Sequence, residues 1–219
     1  MKKISFSCFL VILVLSLAAP LALQGQELQE IALPKPHEAG GMPLMQALSA
    51  RASSREFSSR ELPLQVLSDL LWAADGVNRP ESGKRTAPSA MNVQNIDIYV
   101  ALKTGLYVYD AKANALNPVL GEDVRAAMGQ QPFVQDVPLN LVYVADLAKL
   151  GRSTPEARIL YSAAHAGFIG QNVYLFCASE GLATVVRGTI DREAVAKLMK
   201  LRPGQKVILA QSVGYPKKP

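Results

Sequence analysis

Histidine and cysteine are scarce in this chain, and their scarcity excludes several kinds of active site. Two histidines and two cysteines occur among 219 residues, and no group of His, Cys, Asp and Glu has the spacing of a metal site. We also find no Ser–His–Asp set, although such triads assemble in space and a sequence does not exclude one. His37 lies in a Pro- and Gly-containing segment, and His165 lies in a long helical one, where a packed or interface histidine is the common case. The sequence therefore predicts no metal site.

Positive charge is present in only slight excess, which argues against a nucleic-acid partner. The formal net charge is +5, and residues 1–25 contribute two lysines and no acids, so the rest of the chain carries +3. No stripe of Lys and Arg interleaved with aromatic residues occurs. Hydrophobic residues make up 49% of the chain, which is enough for one globular domain with a substantial core.

The first 25 residues have the pattern of a secretory signal peptide. Lysines at positions 2 and 3 precede an apolar run over residues 4–19, and Pro20 and small residues follow as far as Gly25. This basic start, apolar stretch and small-residue exit predict an exported, periplasmic protein. The alternative is an uncleaved membrane anchor, although the run is shorter than the about 20 apolar residues that a span needs.

Cleavage of that segment would leave a single cysteine. It would remove Cys8, so that Cys177 remains alone and forms no internal disulfide, even in an oxidising compartment. Cys177 lies in an apolar helical segment, and we therefore interpret it as a buried structural thiol rather than a nucleophile.

The remaining sequence predicts a linker over residues 26–42, one domain over 43–216 and a short tail over 217–219. Apolar spacing and capping residues predict helices over 42–50, 64–74, 121–128, 154–180 and 191–200. Apolar runs predict strands over 96–101, 106–109, 116–119, 139–145 and 207–213, with a hairpin turn at 110–114 and a loop at 76–88. Helices and strands alternate irregularly, which indicates an α+β domain around a mixed sheet.

The first half of the longest predicted helix is unusually rich in small residues. Ala166, Gly167 and Gly170 leave room for another helix to approach closely, either in the core or across a dimer. The alternative is ordinary tight packing within one chain.

Two polar segments predict a site for a nucleotide-like cofactor. Arg51 and Arg55 lie four residues apart with Ser53 between them, and at a helix end this spacing places both cations on one face, which suits a phosphate. Further along, small and amide side chains lead into an apolar strand, with Asn92 and Gln94 at its mouth. Their amides donate and accept hydrogen bonds, which suits a planar heterocycle. The alternatives are a solvated helix end and a polar strand-entry turn.

These segments resemble the FMN-dependent nitroreductase family. The pattern Arg51-x-Ser53-x-Arg55 precedes Pro88-Ser89-x-x-Asn92-x-Gln94, in the family's order. Segments 85–90 and 105–110 resemble the branch that contains the azoline-forming dehydrogenases of peptide maturation, and the resemblance continues through 166–175 and 214–216. It covers residues 43–216. Asn95-Ile96 departs from the family's usual Pro-Trp.

The resemblance implies a mainly antiparallel central sheet flanked by helices, a homodimer and bound FMN. Its implied cofactor-binding residues are Arg51, Ser53, Arg55, Pro88, Ser89, Asn92, Gln94, Val186, Arg187, Gly188 and Lys217. The first three would meet the phosphate and ribityl chain. Pro88, Ser89 and Asn92 would meet the ring and ribityl chain, and Gln94 would meet the ring. Lys217 would meet the phosphate, unless it belongs to a frayed tail.

The resemblance also places a loop around residues 186–188 at the reactive edge of the flavin, with a backbone N–H directed at N5. Many relatives carry an acid where Arg187 stands, and a cation there would favour an anionic reduced flavin or an acidic substrate. The alternative is an exposed loop arginine.

The resulting hypothesis is an exported FMN-dependent oxidoreductase that passes hydride or electrons to a small planar acceptor by a ping-pong scheme. The electron donor is open, because nicotinamide cofactors are expected to be scarce outside the cytoplasm, and a quinol or redox protein is the alternative. Two other functions remain: a non-catalytic flavin carrier or sensor, and a peptide azoline-type dehydrogenase.

Overall fold

A seven-stranded antiparallel sheet forms the centre of the molecule. The structure, a computed structural model, describes residues 28–217, so the predicted signal segment and the last two residues lie outside the described part. The sheet strands are β1 (Ile31–Ala32), β4 (Ile96–Leu102), β5 (Gly105–Asp110), β6 (Ala115–Leu120), β7 (Leu139–Asp146), β8 (Ala183–Arg187) and β9 (Gln205–Gly214). They lie in the order β1-β6-β5-β4-β7-β9-β8. Every neighbouring pair is antiparallel, so the described strands contain no parallel component of a mixed sheet.

The middle strand β7 is buried on both faces, as its continuous apolar run predicts. Leu141 and Tyr143 pack on one face against α2 (Leu64–Asp75) and α3 (Pro155–Glu180). Val142 and Val144 pack on the other, against α4 (Arg192–Leu198) and 3-10 turns. The predicted α+β class, with helices flanking a mainly antiparallel sheet, is confirmed.

The two longer helices begin and end at the residues that the sequence indicates. Helix α2 follows Pro63 and ends before Gly76. Helix α3 begins after Thr154, whose side-chain oxygen accepts the Ala157 N–H at 3.2 Å. It ends at Gly181, which adopts φ +66°, a conformation that favours glycine.

Shorter elements differ from prediction. Helix α1 covers Leu44–Ala50, and α4 starts after its predicted cap but ends at Leu198 instead of residue 200. The predicted helix over 121–128 is a 3-10 turn at Arg125–Met128. The predicted loop over 76–88 contains a small hairpin of β2 (Val77–Arg79) and β3 (Lys84–Arg85). Two- and three-residue strands carry too little apolar periodicity to be recognised in a sequence.

The segment predicted as a linker is extended, and it packs against the domain. Strand β1 pairs with β6, and Leu33 is buried in the core. The carbonyl of Pro34 accepts hydrogen bonds from Ser68 Oγ at 2.5 Å and from Asn114 Nδ2 at 2.8 Å. The boundary between linker and domain stays a prediction.

The small residues of α3 serve different purposes. A Cβ at Gly170 would lie 3.2 Å from Val186 Cγ2 and 3.3 Å from Gln211 Oε1, so this glycine lets α3 approach its own sheet. Gly167 is exposed, and a Cβ there would meet nothing within 4 Å. The alternative of packing within one chain is therefore correct for Gly170. Among the described residues, no helix has the length and apolarity that crossing a membrane requires.

Candidate functional site

The predicted phosphate-binding segment follows α1 and runs along the free edge of β8. The Ser54 N–H donates to the Thr184 carbonyl at 2.9 Å, and Phe57 forms an isolated bridge with Pro216. The Lys217 N–H donates to the Glu56 carbonyl at 3.2 Å. The structure thus brings the backbone of Lys217 beside the segment that carries Arg51, Ser53 and Arg55, as the resemblance implies for a phosphate site.

Tyr174 connects this segment to β8. Its phenol oxygen accepts the Val186 N–H at 3.0 Å and lies 2.8 Å from Ser53 Oγ. The Arg51 guanidinium carbon lies 5.3 Å from the centroid of the Tyr174 ring, within the range of a cation–π contact. Sequence reasoning missed Tyr174, because its context in an apolar helix does not distinguish it from a core aromatic.

The segment predicted as a loop around 186–188 is mostly the edge strand β8. Val185 and Arg187 lie opposite Ser212 and Ala210 of β9, whereas the Val186 N–H points to Tyr174. Gly188 follows two residues later, at the spacing where amides on one strand edge point the same way. Its N–H has no hydrogen-bond partner among residues 28–217. It is therefore the best candidate in this segment for the amide that meets a flavin.

The side chain of Arg187 is directed into the protein. It is buried and donates to Ser212 Oγ at 3.1 Å, to the Met128 carbonyl at 2.8 Å and to Asn140 Oδ1 at 2.9 Å. Burial lowers its pKa to about 10, so it stays charged at neutral pH. The exposed-loop alternative is wrong, and so is the expectation of a cation presented to the flavin: the guanidinium braces the core, which sequence alone did not reveal. A backbone contact of Arg187 with a cofactor stays a prediction.

The predicted ring-binding segment is a tight, unusual turn. A 3-10 turn spans Ala90–Asn92, and φ is positive at Met91 (+54°), Asn92 (+54°) and Gln94 (+45°). Ser89 closes the turn twice, since its carbonyl accepts the Asn92 N–H at 3.0 Å and its hydroxyl accepts the Gln94 N–H at 3.0 Å. Three non-glycine residues with positive φ carry backbone strain, which is common at ligand sites.

The two amides of this turn have different environments. Gln94 Nε2 donates to the Gly83 carbonyl at 2.9 Å and to Asn92 Oδ1 at 3.1 Å, and its Oε1 accepts from Arg85 Nε at 3.3 Å. Asn92 is exposed, and its side-chain nitrogen has no hydrogen-bond partner among the described residues. Asn92 is therefore free to contact a cofactor, whereas Gln94 braces the turn against the β2–β3 hairpin.

The phosphate segment and the turn lie at different heights on α3. The first contacts Tyr174, and the second contacts His165, whose Nε2 accepts the Ala90 N–H at 2.8 Å. Nine residues of helix correspond to about 13.5 Å. No hydrogen bond joins the two segments within the described residues. One chain thus presents the two predicted parts of the site on a common helix without bringing them into contact.

An apolar surface lies on α1 and α3, and we call it the α1–α3 face. Its exposed residues are Leu44, Met45, Leu48, Ile159, Leu160, Tyr161 and Phe168. Met45 is 75% and Leu160 68% exposed, and the two helices pack against each other. Large exposed apolar side chains on two helices that pack together are typical of an interaction surface.

A charged cavity of about 250 Å³ lies behind the turn. Its wall includes Asp75, Arg85, Gln94, Asp97 and Lys149. Burial raises the pKa of Asp75 to about 7, although Arg85 opposes this shift. Arg85 donates to the backbone carbonyl of Asp75 at 3.0 Å and also to Gln94. The cavity therefore adjoins the predicted ring-binding turn, since Gln94 lines it and both Arg85 and Lys149 donate to Gln94. Residues 28–217 contain no group of His, Cys, Asp and Glu that could hold a metal ion.

The family model of the nitroreductase family matches residues 48–215. The chain belongs to the nitroreductase family. It is 45% identical to a protein of Ralstonia eutropha JMP134 described as a nitroreductase, whose crystal structure superposes with a TM-score of 0.85 over 89% of this chain and 93% of that one. It is also 31% identical to a protein of Methanocaldococcus jannaschii described as a nitroreductase, over 79% of this chain and 90% of the relative.

More distant members of the fold have diverse partners. The microcin synthetase McbBCD complex of E. coli, solved with truncated pro-MccB17 bound, contains a chain that is 19% identical with a TM-score of 0.67, over 94% of this chain and 85% of that one. An NADPH:FMN oxidoreductase from Vibrio harveyi, solved with NAD+, is 18% identical with a TM-score of 0.60, over 80% of this chain and 69% of that one. At these identities the likeness shows the fold alone.

Proposed function

We propose that this nitroreductase-family protein is an exported, FMN-dependent oxidoreductase that passes electrons to a small planar acceptor. The observation that carries the proposal is the group of Arg51, Ser53, Arg55 and Lys217 beside the edge of β8. Three cationic residues and a hydroxyl on adjoining segments offer a phosphate several charge-assisted hydrogen bonds. The name of the Vibrio harveyi neighbour, an FMN oxidoreductase, agrees with this cofactor.

The residues present fit an FMN molecule. Arg51 and Arg55 would hold its phosphate, together with Lys217 and the Ser53 hydroxyl. Asn92, with its free side-chain nitrogen, would contact the ring edge, and Pro88 and Ser89 would contact it through their backbones. The strain at residues 91–94 places these groups in a conformation that an unsupported turn would not keep.

Bound FMN supplies the redox chemistry, and the chain supplies position and electrostatics. The Gly188 N–H would donate to the ring nitrogen where negative charge develops as electrons arrive. Tyr174 fixes that edge strand through the Val186 N–H. Chemistry on FMN would need no side-chain nucleophile. The buried Cys177 thiol, whose raised pKa keeps it protonated, is not suited to that role. Donor and acceptor would use the same slot in turn, as a ping-pong scheme requires.

We also propose that the protein is a two-fold homodimer through the α1–α3 face. Isologous association would bury Met45, Leu160 and their apolar neighbours against the same surface of a second copy. It would also bring the turn of one copy near the phosphate segment of the other, two parts that a single chain holds apart on α3. The exposed Gly167 leaves room for close helix approach.

Export is the third part of the proposal. Residues 1–25 would act as a cleaved signal peptide and release the domain into the periplasm. N-terminal sequencing of the native protein tests this: a start between residues 19 and 26 supports cleavage, whereas an intact Met1 in a membrane fraction supports the anchor.

The decisive experiment is spectroscopic. The purified protein should show the absorbance of bound FMN, and anaerobic titration with NADH, NADPH, a quinol and reduced redox proteins identifies the donor. Dithionite-reduced protein is then offered nitroaromatics and quinones, which bypasses the donor, and oxidised protein is offered thiazoline-containing peptides. Oxidation by a small acceptor supports the proposal. FMN that is reduced but passes electrons to no acceptor supports a carrier or sensor. Oxidation of the peptides alone, with oxidised protein as oxidant, supports the peptide-dehydrogenase alternative.

A further inference from the structure

His165 bridges the two ends of the ring-binding turn. Its Nε2 accepts the Ala90 N–H at 2.8 Å, so Nδ1 carries the proton and donates to Asn95 Oδ1 at 2.6 Å. Backbone amides only donate, and the Ala90 bond therefore fixes this neutral tautomer. The histidine is buried on α3, with Tyr161 and Phe168 at ring distances of 6.3 and 6.4 Å. A single imidazole thus holds the residues on both sides of the strained segment.

Asn95 extends this connection into the core. Its Nδ2 donates to Ser162 Oγ at 2.9 Å, and Ser162 Oγ donates to the Arg158 carbonyl at 2.7 Å. The backbone carbonyl of Asn95 accepts the Asp146 N–H at 2.8 Å. The histidine and the asparagine therefore connect α3 to the residue that precedes β4 through their side chains.

We propose that the His165–Asn95 pair is a pH-sensitive positioning device, which holds the turn over residues 88–94 in its flavin-binding conformation and releases it when His165 is protonated. The inference rests on the proposed FMN function. In the protonated imidazole both nitrogens donate, so Nε2 would face the Ala90 N–H as a second donor. That bond is lost, and the positive-φ residues that follow it lose their support. Flavin affinity would then fall in acidic surroundings, which an exported protein can encounter.

The titration of other ionisable groups around the turn must be distinguished from that of His165. On the far side, Asp75 is linked to Gln94 through Arg85 and has a pKa of about 7. Three further charged side chains near the turn have partners: Lys149 donates to the Gln94 carbonyl and lies 3.8 Å from Asp97, Arg158 donates to the carbonyls of residues 151 and 153, and Asp146 pairs with Arg202 at 3.1 Å. Burial raises the pKa of Asp97. Burial alone lowers the pKa of His165. His37, on the surface with Asp69, is the one other histidine of the chain.

Glutamine is the conservative replacement that separates geometry from titration. In His165→Gln, the side-chain oxygen can accept the Ala90 N–H and the nitrogen can donate to Asn95 Oδ1, and the group does not titrate. His165→Ala removes both bonds. Asp75→Asn removes the competing acid, and His37→Gln serves as the matched histidine control.

The experiment measures the FMN dissociation constants of these variants between pH 5 and pH 8. The FMN phosphate itself titrates at about pH 6, so each constant is divided by that of His165→Gln at the same pH. For wild type we expect this ratio to be about one at pH 8 and to rise as the pH falls, up to about tenfold once His165 is protonated, which corresponds to the loss of about one hydrogen bond. His165→Ala should bind about tenfold more weakly than His165→Gln throughout. His37→Gln and Asp75→Asn should keep the wild-type ratio. A wild-type ratio that does not change with pH, or a ratio that becomes constant in Asp75→Asn, would overturn the proposal.

A second readout needs no flavin. In the wild-type protein without FMN, NMR should find His165 as the Nδ1–H tautomer at pH 8, and the protection of the Ala90 amide hydrogen from exchange, relative to its intrinsic exchange rate at each pH, should fall as His165 becomes protonated. An Nε2–H tautomer, or protection that does not follow this titration, would overturn the inference. If wild type binds no FMN at pH 8, the proposed function fails while this measurement still decides the device.

Discussion

The phenol oxygen of Tyr174 accepts a hydrogen bond from the backbone N–H of Val186 at 3.0 Å. The same oxygen lies 2.8 Å from Ser53 Oγ, so one side chain of α3 ties the predicted phosphate segment to the edge strand. Since the Val186 amide is occupied, the next outward amide along the chain, that of Gly188, is the one that we propose for a cofactor contact.

Arg51→Ala should weaken FMN binding by about 1.5–3 kcal/mol, the range for hydrogen bonds to charged groups. The guanidinium would bind the phosphate while it stacks on the Tyr174 ring. Arg60→Ala is the control, because Arg60 also stacks on an aromatic ring, that of Tyr215, at 4.1 Å but is not in the predicted site. Fluorescence titration with FMN measures both. Equal affinity of Arg51→Ala and wild type would refute the assignment of Arg51.

Light scattering at micromolar concentration should report twice the monomer mass. The double variant Met45→Glu, Leu160→Glu should be a monomer with weaker flavin binding, because two charges on the α1–α3 face oppose its burial. Leu64→Glu, at a leucine that is 47% exposed on α2, should remain a dimer. A wild-type monomer that still holds FMN would rule out the shared site.

Arg187→Ala should destabilise the fold by about 2–4 kcal/mol, since it empties a buried volume and leaves the Met128 carbonyl without its donor. The flavin's reduction potential should change little, because the guanidinium points into the core. Arg192→Ala is the control at an exposed arginine that also donates to a backbone carbonyl. Urea unfolding and redox titration separate the two effects. A large shift in potential with unchanged stability would restore the electrostatic role first expected of Arg187.

Asp75→Asn should stabilise the protein, and more so at high pH. The folded chain holds the Asp75 proton up to a pKa of about 7, whereas the ordinary value is 3.8, so stability falls as the pH rises between these values. Between pH 5 and pH 8 the free energy of unfolding of the wild-type protein should therefore fall by about 3 kcal/mol relative to that of the variant. Unfolding of wild type and variant at both pH values measures it, with the exposed Asp136→Asn as control. An equal difference between variant and wild type at both pH values would contradict the prediction.

Cys177→Ala should keep acceptor reduction by dithionite-reduced protein. Cys177 is fully buried between α3 and the sheet, and burial raises its pKa, so its thiol stays protonated. The substitution should cost about 1 kcal/mol of stability through lost packing. Loss of activity with FMN still bound would reveal a thiol step that the geometry does not indicate.

Local patterns were sufficient for much of the fold. The apolar run of β7 indicated a strand buried on both faces, and the helical spacing of α2 and α3 indicated their lengths. These features depend on neighbours in the sequence. The hairpin of β2 and β3 and the strand at Ile31–Ala32 escaped prediction, because such short strands exist only through the partners that the fold brings to them.

The candidate site also has features that the sequence predicts and features that only the fold determines. The sequence by itself determined which residue types and spacings could hold a phosphate and a planar ring, because such motifs are local runs of cations and amides. Only the tertiary structure decided that Arg187 turns inward, that Tyr174 joins Ser53 to the edge strand, and that His165 meets Asn95 across 70 positions. Those contacts join residues far apart in the chain, and side-chain direction across a sheet or between helices is set by packing, which no local pattern encodes.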